Sequence, residues 1–277
     1  MARKKSPLRK LPLVGLQVVV AFLVLFPFFW MISVSLKPAD EPFSIPARMW
    51  PEAPTLTNYL SAFRPEFQRY FLNSVVVSTS TVLITVPLAL LAAYSLTRYQ
   101  FRLLSIFLGA VILAQFFPAG AMIIPLYKMV KAANLLDTYA SLVTAYITVT
   151  LPVAIWMLRG FLARVPKTLE EAASIDGATP LRAFFDIIVP LARPGIVATT
   201  VFVLIVTWQE FLFALSFTST KAMRTLPVGM NDYIGQYGIR YGELMASSVI
   251  VSLPVIIVFF FLQRQFVAGL TAGAVKG

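Results

Sequence analysis

With 277 residues, 58% of them hydrophobic and only 13% charged, the chain lies far from the composition of a soluble domain, where about a quarter of residues carry charge. It has no Cys and no His, which excludes disulfides, thiolate metal sites, the usual near-neutral general base and every His-containing triad. The net charge of +11 could be taken for nucleic-acid binding, but the excess flanks apolar runs on one side, so a lipid bilayer and no nucleic acid is the expected partner.

The first element follows a basic start, Arg3, Lys4, Lys5, Arg9 and Lys10. The apolar run over residues 11–36 is longer than the core of a secretory signal, and no clean small-x-small site follows it. A retained first span is expected. Five more runs are long and uncharged enough to cross about 30 Å of hydrocarbon as helices: residues 70–97, 103–127, 138–158, 194–220 and 244–263. They are too long and too continuously apolar for barrel strands. The expected fold is therefore all-α, one polytopic membrane domain over residues 1–277 with six transmembrane helices.

Several runs contain Pro: Pro27, Pro87, Pro118, Pro125, Pro152 and Pro254. Each removes a backbone donor and tends to kink its helix. Membrane helices tolerate such residues, but kinked helices also line solute paths. The most irregular stretch is residues 116–125, FFPAGAMIIP. Lys and Arg favour the side carrying the N-terminus, and six spans return the C-terminus there, so both termini are expected in the cytoplasm. Residues 37–69, rich in Pro and charge, read as an irregular outer loop with one short helix, and residues 218–243 as a second outer segment.

Residues 159–193, between the fourth and fifth runs, are too long and too patterned for a simple connector. Thr168 is placed to cap a short helix with Glu171 as its reciprocal partner, and Glu170 and Glu171 suit a helix N-terminus. Ala172, Ala173 and Ile175 form an apolar strip, and Gly177 allows a sharp turn. A second short helix carrying Leu181, Phe184, Phe185 and Ile188 is expected to end at Pro190 and Pro194. Two readings stand on the pattern alone: a helix lying flat on the membrane, or a docking segment whose small residues permit close approach and whose acids offer partners for Arg.

The spacing Glu171-Ala172-Ala173, Gly177, Ile187, Val189-Pro190 resembles the cytoplasmic signature of membrane subunits of ATP-binding-cassette importers. That signature is Glu-Ala-Ala, three residues, Gly, nine residues, Ile, one residue, Leu-Pro; Val189 in place of Leu is the one departure. Asp176 sits inside it. The number of apolar runs, Trp208-Gln209-Glu210-Phe211, and the closing stretch from Gly269 to Gly277 are similar to the carbohydrate-uptake branch, above all to the maltose-type second permease subunit. The resemblance covers nearly the whole chain. It implies a binding-protein-dependent importer permease fold in a bacterial or archaeal plasma membrane. It also implies a second homologous permease subunit, two cytoplasmic ATPase subunits holding ATP and Mg, and an extracytoplasmic solute-binding protein. Glu170, Glu171, Ala172, Ala173, Asp176, Gly177, Ile187 and Pro190 would couple to the ATPase, and the tail residues Gly273, Lys276 and Gly277 would reach between its two copies.

The chain has no GxxxxGK[ST] phosphate loop and no cluster of catalytic side chains, so it is expected to bind no cofactor and to catalyse nothing. Asn73, Gln115, Trp208, Gln209 and Glu210, with Tyr146 and Trp156 behind them, are candidates for a solute path or gate, since amides and aromatic faces suit a hydroxyl-rich ligand. Polar packing between helices is the alternative for each. Glu210, the lone acid within a run, is open to three roles: packing anchor, gate element or solute contact. A secondary transporter would call for more intramembrane acids or an inverted repeat, and a membrane scaffold would not need the patterned inner loop.

Overall fold

The computed structural model describes residues 11–38, 41–46, 48–99, 102–235 and 238–274. Long apolar helices dominate: α1 (Leu11–Ser35), α3 (Pro65–Arg98), α6 (Tyr139–Leu162), α9 (Val189–Trp208) and α12 (Tyr241–Ala274). The only strands among the described residues are β1 (Ile234–Gly235) and β2 (Gly238–Ile239), paired antiparallel. Contacts divide the chain into two compact units, one of Met1–Pro65 with Met230–Leu253, the other of Glu66–Gly229 with Pro254–Gly277.

Among the described residues five helices, not six, are long and apolar enough to cross a membrane: Val14–Ser35, Pro65–Arg98, Tyr139–Leu162, Pro180–Trp208 and Tyr241–Gln263. The expected third span is two short helices, α4 (Arg102–Ala114, 13 residues) and α5 (Ala119–Ala132, 14 residues), each below the length a bilayer requires. The break falls at Gln115–Pro118. Pro118 has no N–H to continue a helix and sits in extended backbone, φ −62° and ψ 135°, capping α5. The expected fifth span is also redrawn. It stops at Trp208, and α10 (Leu212–Phe217) follows as a separate helix. At its other end the span begins as early as Pro180.

In the larger unit α3 and α6 run the same way. Near their starts, Tyr139 Oη donates to Asn73 Oδ1 at 2.7 Å. At their ends, the Arg98 guanidinium reaches the Val165 carbonyl at 3.2 Å, just past α6. The α4–α5 segment must therefore lead the chain back from one end of the unit to the other. Small residues let the helices close on one another: Ala89 and Ala93 of α3 with Ala154 and Leu158 of α6 and Ala192 and Val203 of α9 form one buried cluster. A Cβ on Gly195 would lie 2.4 Å from Phe161 Cγ, so the α6–α9 approach depends on that glycine. A second cluster joins Val77, Leu142, Tyr146, Phe213, Phe217 and Val228.

The smaller unit holds the one short helix expected in the first outer loop, α2 (Thr57–Ala62). Asn58 Nδ2 donates to the Ser35 and Lys37 carbonyls at 3.0 and 2.7 Å, stitching α2 to the end of α1. Lys37 is buried, its ammonium on the Arg48 carbonyl at 2.7 Å and 4.7 Å above the Trp30 ring. Glu243 accepts from Arg64 at 3.2 Å and from Arg240 at 2.8 Å.

Candidate functional site

The patterned segment over residues 159–193 builds two short elements. The first is α7 (Thr168–Ile175). Thr168 is its first helical residue rather than its cap; Lys167 precedes it in helical backbone, and no side chain caps the start. The expected reciprocal box between Thr168 and Glu171 is absent because Thr168 is already helical and not in the cap position; Glu170 beside them turns into the chain. Its carboxylate pairs with Arg98 Nε through Oε1 and accepts from Tyr94 Oη through Oε2 at 2.7 Å. Lys167 Nζ donates to the Arg98 carbonyl at 3.2 Å, which reinforces the same junction. With Arg98 9% and Glu170 16% exposed at their side chains, the pair is largely out of water. A charge-assisted bond there is worth more than a surface ion pair.

The outward side of α7 is different. Glu171 and Ala172 are exposed, Ile175 is 87% exposed and only Ala173 is buried. Gly177 holds φ +81°, a left-handed backbone that residues with a Cβ adopt at a cost, and Ala178 N closes the turn on the Ala173 carbonyl at 2.9 Å. Asp176 is exposed beside it.

The second element opens at α8 (Pro180–Ala183), where Thr179 Oγ1 accepts from Arg182 N at 3.3 Å and Pro180 occupies the first helical turn. Pro190 and Pro194 do not end it. A π-helical turn over Phe184–Ile188 widens the backbone ahead of Pro190, and the helix continues into α9. Phe184 and Ile188 are buried; Leu181 and Phe185 are 70% and 58% exposed, and Ile187 is half-buried. Phe184 stacks edge-on against Tyr94, centroids 4.9 Å apart, so the same tyrosine touches both elements of the segment.

The expected path residues do not converge. Asn73 is fully buried, its amide donating to the Ala222 and Arg224 carbonyls at 2.8 Å and accepting from Tyr139. It fastens the segment around Ala222 and Arg224 to α3. Gln115 is exposed in the α4–α5 break. Trp208 is buried edge-on against Phe71, and Gln209 is exposed at the end of α9. Glu210 takes a fourth role: Oε1 accepts from Phe213 N at 2.8 Å and Oε2 from Ala214 N at 3.0 Å, so it caps α10. Tyr146 is buried and Trp156 exposed. Gly273 lies in the last turn of α12; Lys276 and Gly277 lie outside the described residues.

Sequence reasoning missed Tyr94 and Arg98, the inner partners of Glu170, and the Asp137 clamp. Asp137 Oδ1 accepts from Ser219 N and Thr220 N at 2.8 and 3.1 Å, and Oδ2 from Thr220 Oγ1 at 2.7 Å. Partial burial pushes its pKa up, but these three bonds outweigh it and hold the carboxyl below its ordinary value. Among the described residues no group of three His, Cys, Asp or Glu could hold a metal.

Residues 85–271 match the family model described as "binding-protein-dependent transport system inner membrane component". The sulfoquinovosyl glycerol transport system permease protein SmoH of Agrobacterium fabrum is 38% identical over 254 residues, 91% of this chain and 89% of that protein. The trehalose transport system permease protein SugB of Mycobacterium tuberculosis is 38% identical over 265 residues, 95% and 96% of the two chains. In fold, the chain is similar to one in the crystal structure of a bacterial ABC transporter involved in the import of the acidic polysaccharide alginate, with a TM-score of 0.81 and 19% identity over 96% of this chain and 99% of that one.

Proposed function

The chain belongs to the binding-protein-dependent transport system inner membrane component family, and on that premise we propose that it passes the stroke of a cytoplasmic ATPase to the pore of an importer for a carbohydrate or related polyol or glycerol-phosphate solute. It is itself a multi-pass transport subunit, not a catalyst. The carbohydrate class is supported by the relatives, two of which are named for a trehalose and a sulfoquinovosyl glycerol system.

The observation that carries the coupling is the two-sided character of α7. Its inner side, through Glu170, is tied to Arg98 and Tyr94 at the end of one membrane helix. Its outer side presents Glu171, Ala172 and Ile175 unpaired, and the continuous helix from Pro180 to Trp208 carries Leu181 and Phe185 outward beside it. A partner that grips the outer side thus moves two membrane helices at once, α3 through a charge-assisted bond and α9 through unbroken backbone. Switching between two packed arrangements then gives alternating access. ATP and Mg belong to two cytoplasmic ATPase subunits, the pore is completed by a second homologous permease subunit, and an extracytoplasmic solute-binding protein delivers the solute. Gly177 supplies the bend between the two docking elements.

The parallel course of α3 and α6 bears on topology. On this proposal the α4–α5 segment crosses between them as a broken helix, a sixth crossing beside the five helices that are long and apolar enough to span a membrane by themselves. With the basic flanks of the α3 end and of residues 159–193 inside, both termini are cytoplasmic in a bacterial or archaeal plasma membrane. Reconstituted uptake with the cognate ATPase tests the proposal: Glu171→Ala or Gly177→Val is expected to uncouple hydrolysis from uptake or prevent ATPase co-purification, with insertion intact. Normal assembly and normal uptake in both variants would refute it.

A further inference from the structure

A cavity of about 320 Å3 opens where α6 ends and α9 begins, walled by Phe161, Val165, Pro166, Leu169, Leu191 and Pro194, with Arg164 as its one charged side chain. Its placement along the bilayer normal follows from its walls. Phe161 lies in the last turn of one membrane helix, and the wall residues Arg164, Val165 and Pro166 follow directly beyond its end. The cavity therefore sits at the level where hydrocarbon gives way to headgroups.

Its chemistry is amphipathic. The Arg164 guanidinium lies 5.7 Å over the Phe161 ring and pairs with no acid among the described residues. Arg193, adjacent to the wall residue Pro194, and Arg159, two residues before Phe161, are exposed and likewise have no acidic partner there. Two acids of the same segment are already engaged, Glu170 by Arg98 and Tyr94 and Asp186 by Arg182 at 3.2 Å, while Glu171 is exposed and pairs with no guanidinium among the described residues. Unpaired guanidinium at headgroup depth beside an open, mostly apolar slot suits a phosphate joined to a hydrocarbon chain, as in basic pockets between membrane helices. Inorganic phosphate would use the cation and leave the apolar walls wet.

We propose that this cavity is a binding site for an anionic phospholipid, with its phosphate on Arg164, Arg193 contributing to the local positive field, and its acyl chain against Phe161, Leu191 and Pro194. Because Val165, Pro166 and Leu169 form the wall nearest α7, the lipid would buttress the start of that helix. The site requires the chain to be membrane-embedded but does not depend on ATPase coupling.

The test uses the full-length chain, with whatever partner subunits co-purify, in nanodiscs of phosphatidylcholine with and without 20% phosphatidylglycerol (an added fraction of about one lipid in five), and native mass spectrometry after release. Wild type is expected to retain phosphatidylglycerol in preference to phosphatidylcholine. Arg164→Gln should reduce that retention several-fold and Arg164→Lys should keep most of it. Leu191→Trp, which fills the slot and leaves every charge in place, should also reduce it, whereas Lys128→Gln, an exposed cation far along the chain on α5, should not. Millimolar inorganic phosphate should not displace the lipid. Equal retention by wild type, Arg164→Gln and Leu191→Trp, or displacement by phosphate alone, would overturn the proposal. Failure of the native chain to co-purify with any ATPase, with the lipid still retained, would count against the coupling reading and leave this one standing.

Discussion

Tyr94 Oη donates to Glu170 Oε2 over 2.7 Å, joining residues 76 positions apart in sequence. This bond and the Arg98 pair beside it make the inner side of α7 an extension of α3. Glu170→Gln keeps the shape and removes the charge, and Tyr94→Phe removes one donor. A hydrogen bond to a charged group contributes roughly 1.5–3 kcal/mol. Both variants are expected to assemble, with uptake per ATP hydrolysed falling more in Glu170→Gln than in Tyr94→Phe. Simultaneous measurement of hydrolysis and uptake in proteoliposomes checks this, and unchanged coupling in both variants would remove α3 from the route.

Gly195 faces Phe161 so closely that any side chain collides with the ring. Gly195→Val is expected to spread α6 from α9 and lower thermal stability, an overpacking penalty of roughly 1–3 kcal/mol. Phe161→Ala in the same chain should recover part of the loss. Unfolding temperatures of the single and double variants test the contact, and additive losses would show that the two residues do not meet.

Glu210 accepts from two amides at the start of α10, both of them on the buried residues Phe213 and Ala214. Glu210→Ala is expected to cost roughly 1–3 kcal/mol as those donors are left unpaired. Glu210→Gln, which keeps one oxygen acceptor, should fall between that variant and the native chain. Thermal unfolding in detergent gives the order. If Gln and Ala are equally damaging, the charge rather than the cap is what the fold needs.

The Asp137 clamp predicts a pH dependence. Its folded pKa lies below the ordinary carboxyl value, so its stabilising effect is complete above the unfolded pKa and is lost as pH falls through the folded one. Protection of the Ser219 and Thr220 amides relative to their intrinsic exchange rates should therefore be full at neutral pH and be lost only in acid, as pH falls through and below the ordinary carboxyl range. Asp137→Asn should show lower protection at pH 7 and little further loss of protection with acid. A step near neutrality would contradict the assignment.

The parts of this fold that were legible in the sequence are those governed by hydropathy over a whole helix. The spans around residues 14–35, 65–98, 139–162 and 241–263 follow from uncharged runs, which report immersion in lipid. The break at Gln115–Pro118 did not, because residues 103–127 are equally apolar on both sides of it; composition reports burial, not continuity of backbone. Pro118 and the FFPAG stretch carried the one local signal. Pro190 and Pro194 misled for the opposite reason. A missing N–H is visible in sequence, but the π turn that absorbs it is set by packing of Phe184 and Ile188. The Glu-Ala-Ala spacing located the candidate site, yet it gave Glu170 and Glu171 the same outlook. Their divergence depends on Tyr94 and Arg98, distant residues that only the folded chain brings near. Glu210 was noticed as a lone acid; its role became visible once a helix was seen to restart two residues later.

The docking of the α7 outer side is open to direct measurement because the native chain has no cysteine to interfere. A single Ile175→Cys, at a position 87% exposed, would be cross-linked with a short thiol-to-amine reagent in the assembled, ATP-hydrolysing transporter. The account predicts a covalent product containing this chain and the ATPase subunit, formed at a rate that changes with nucleotide. Efficient uptake with no such product, while a cysteine on the opposite side of the membrane captures the ATPase instead, would contradict it.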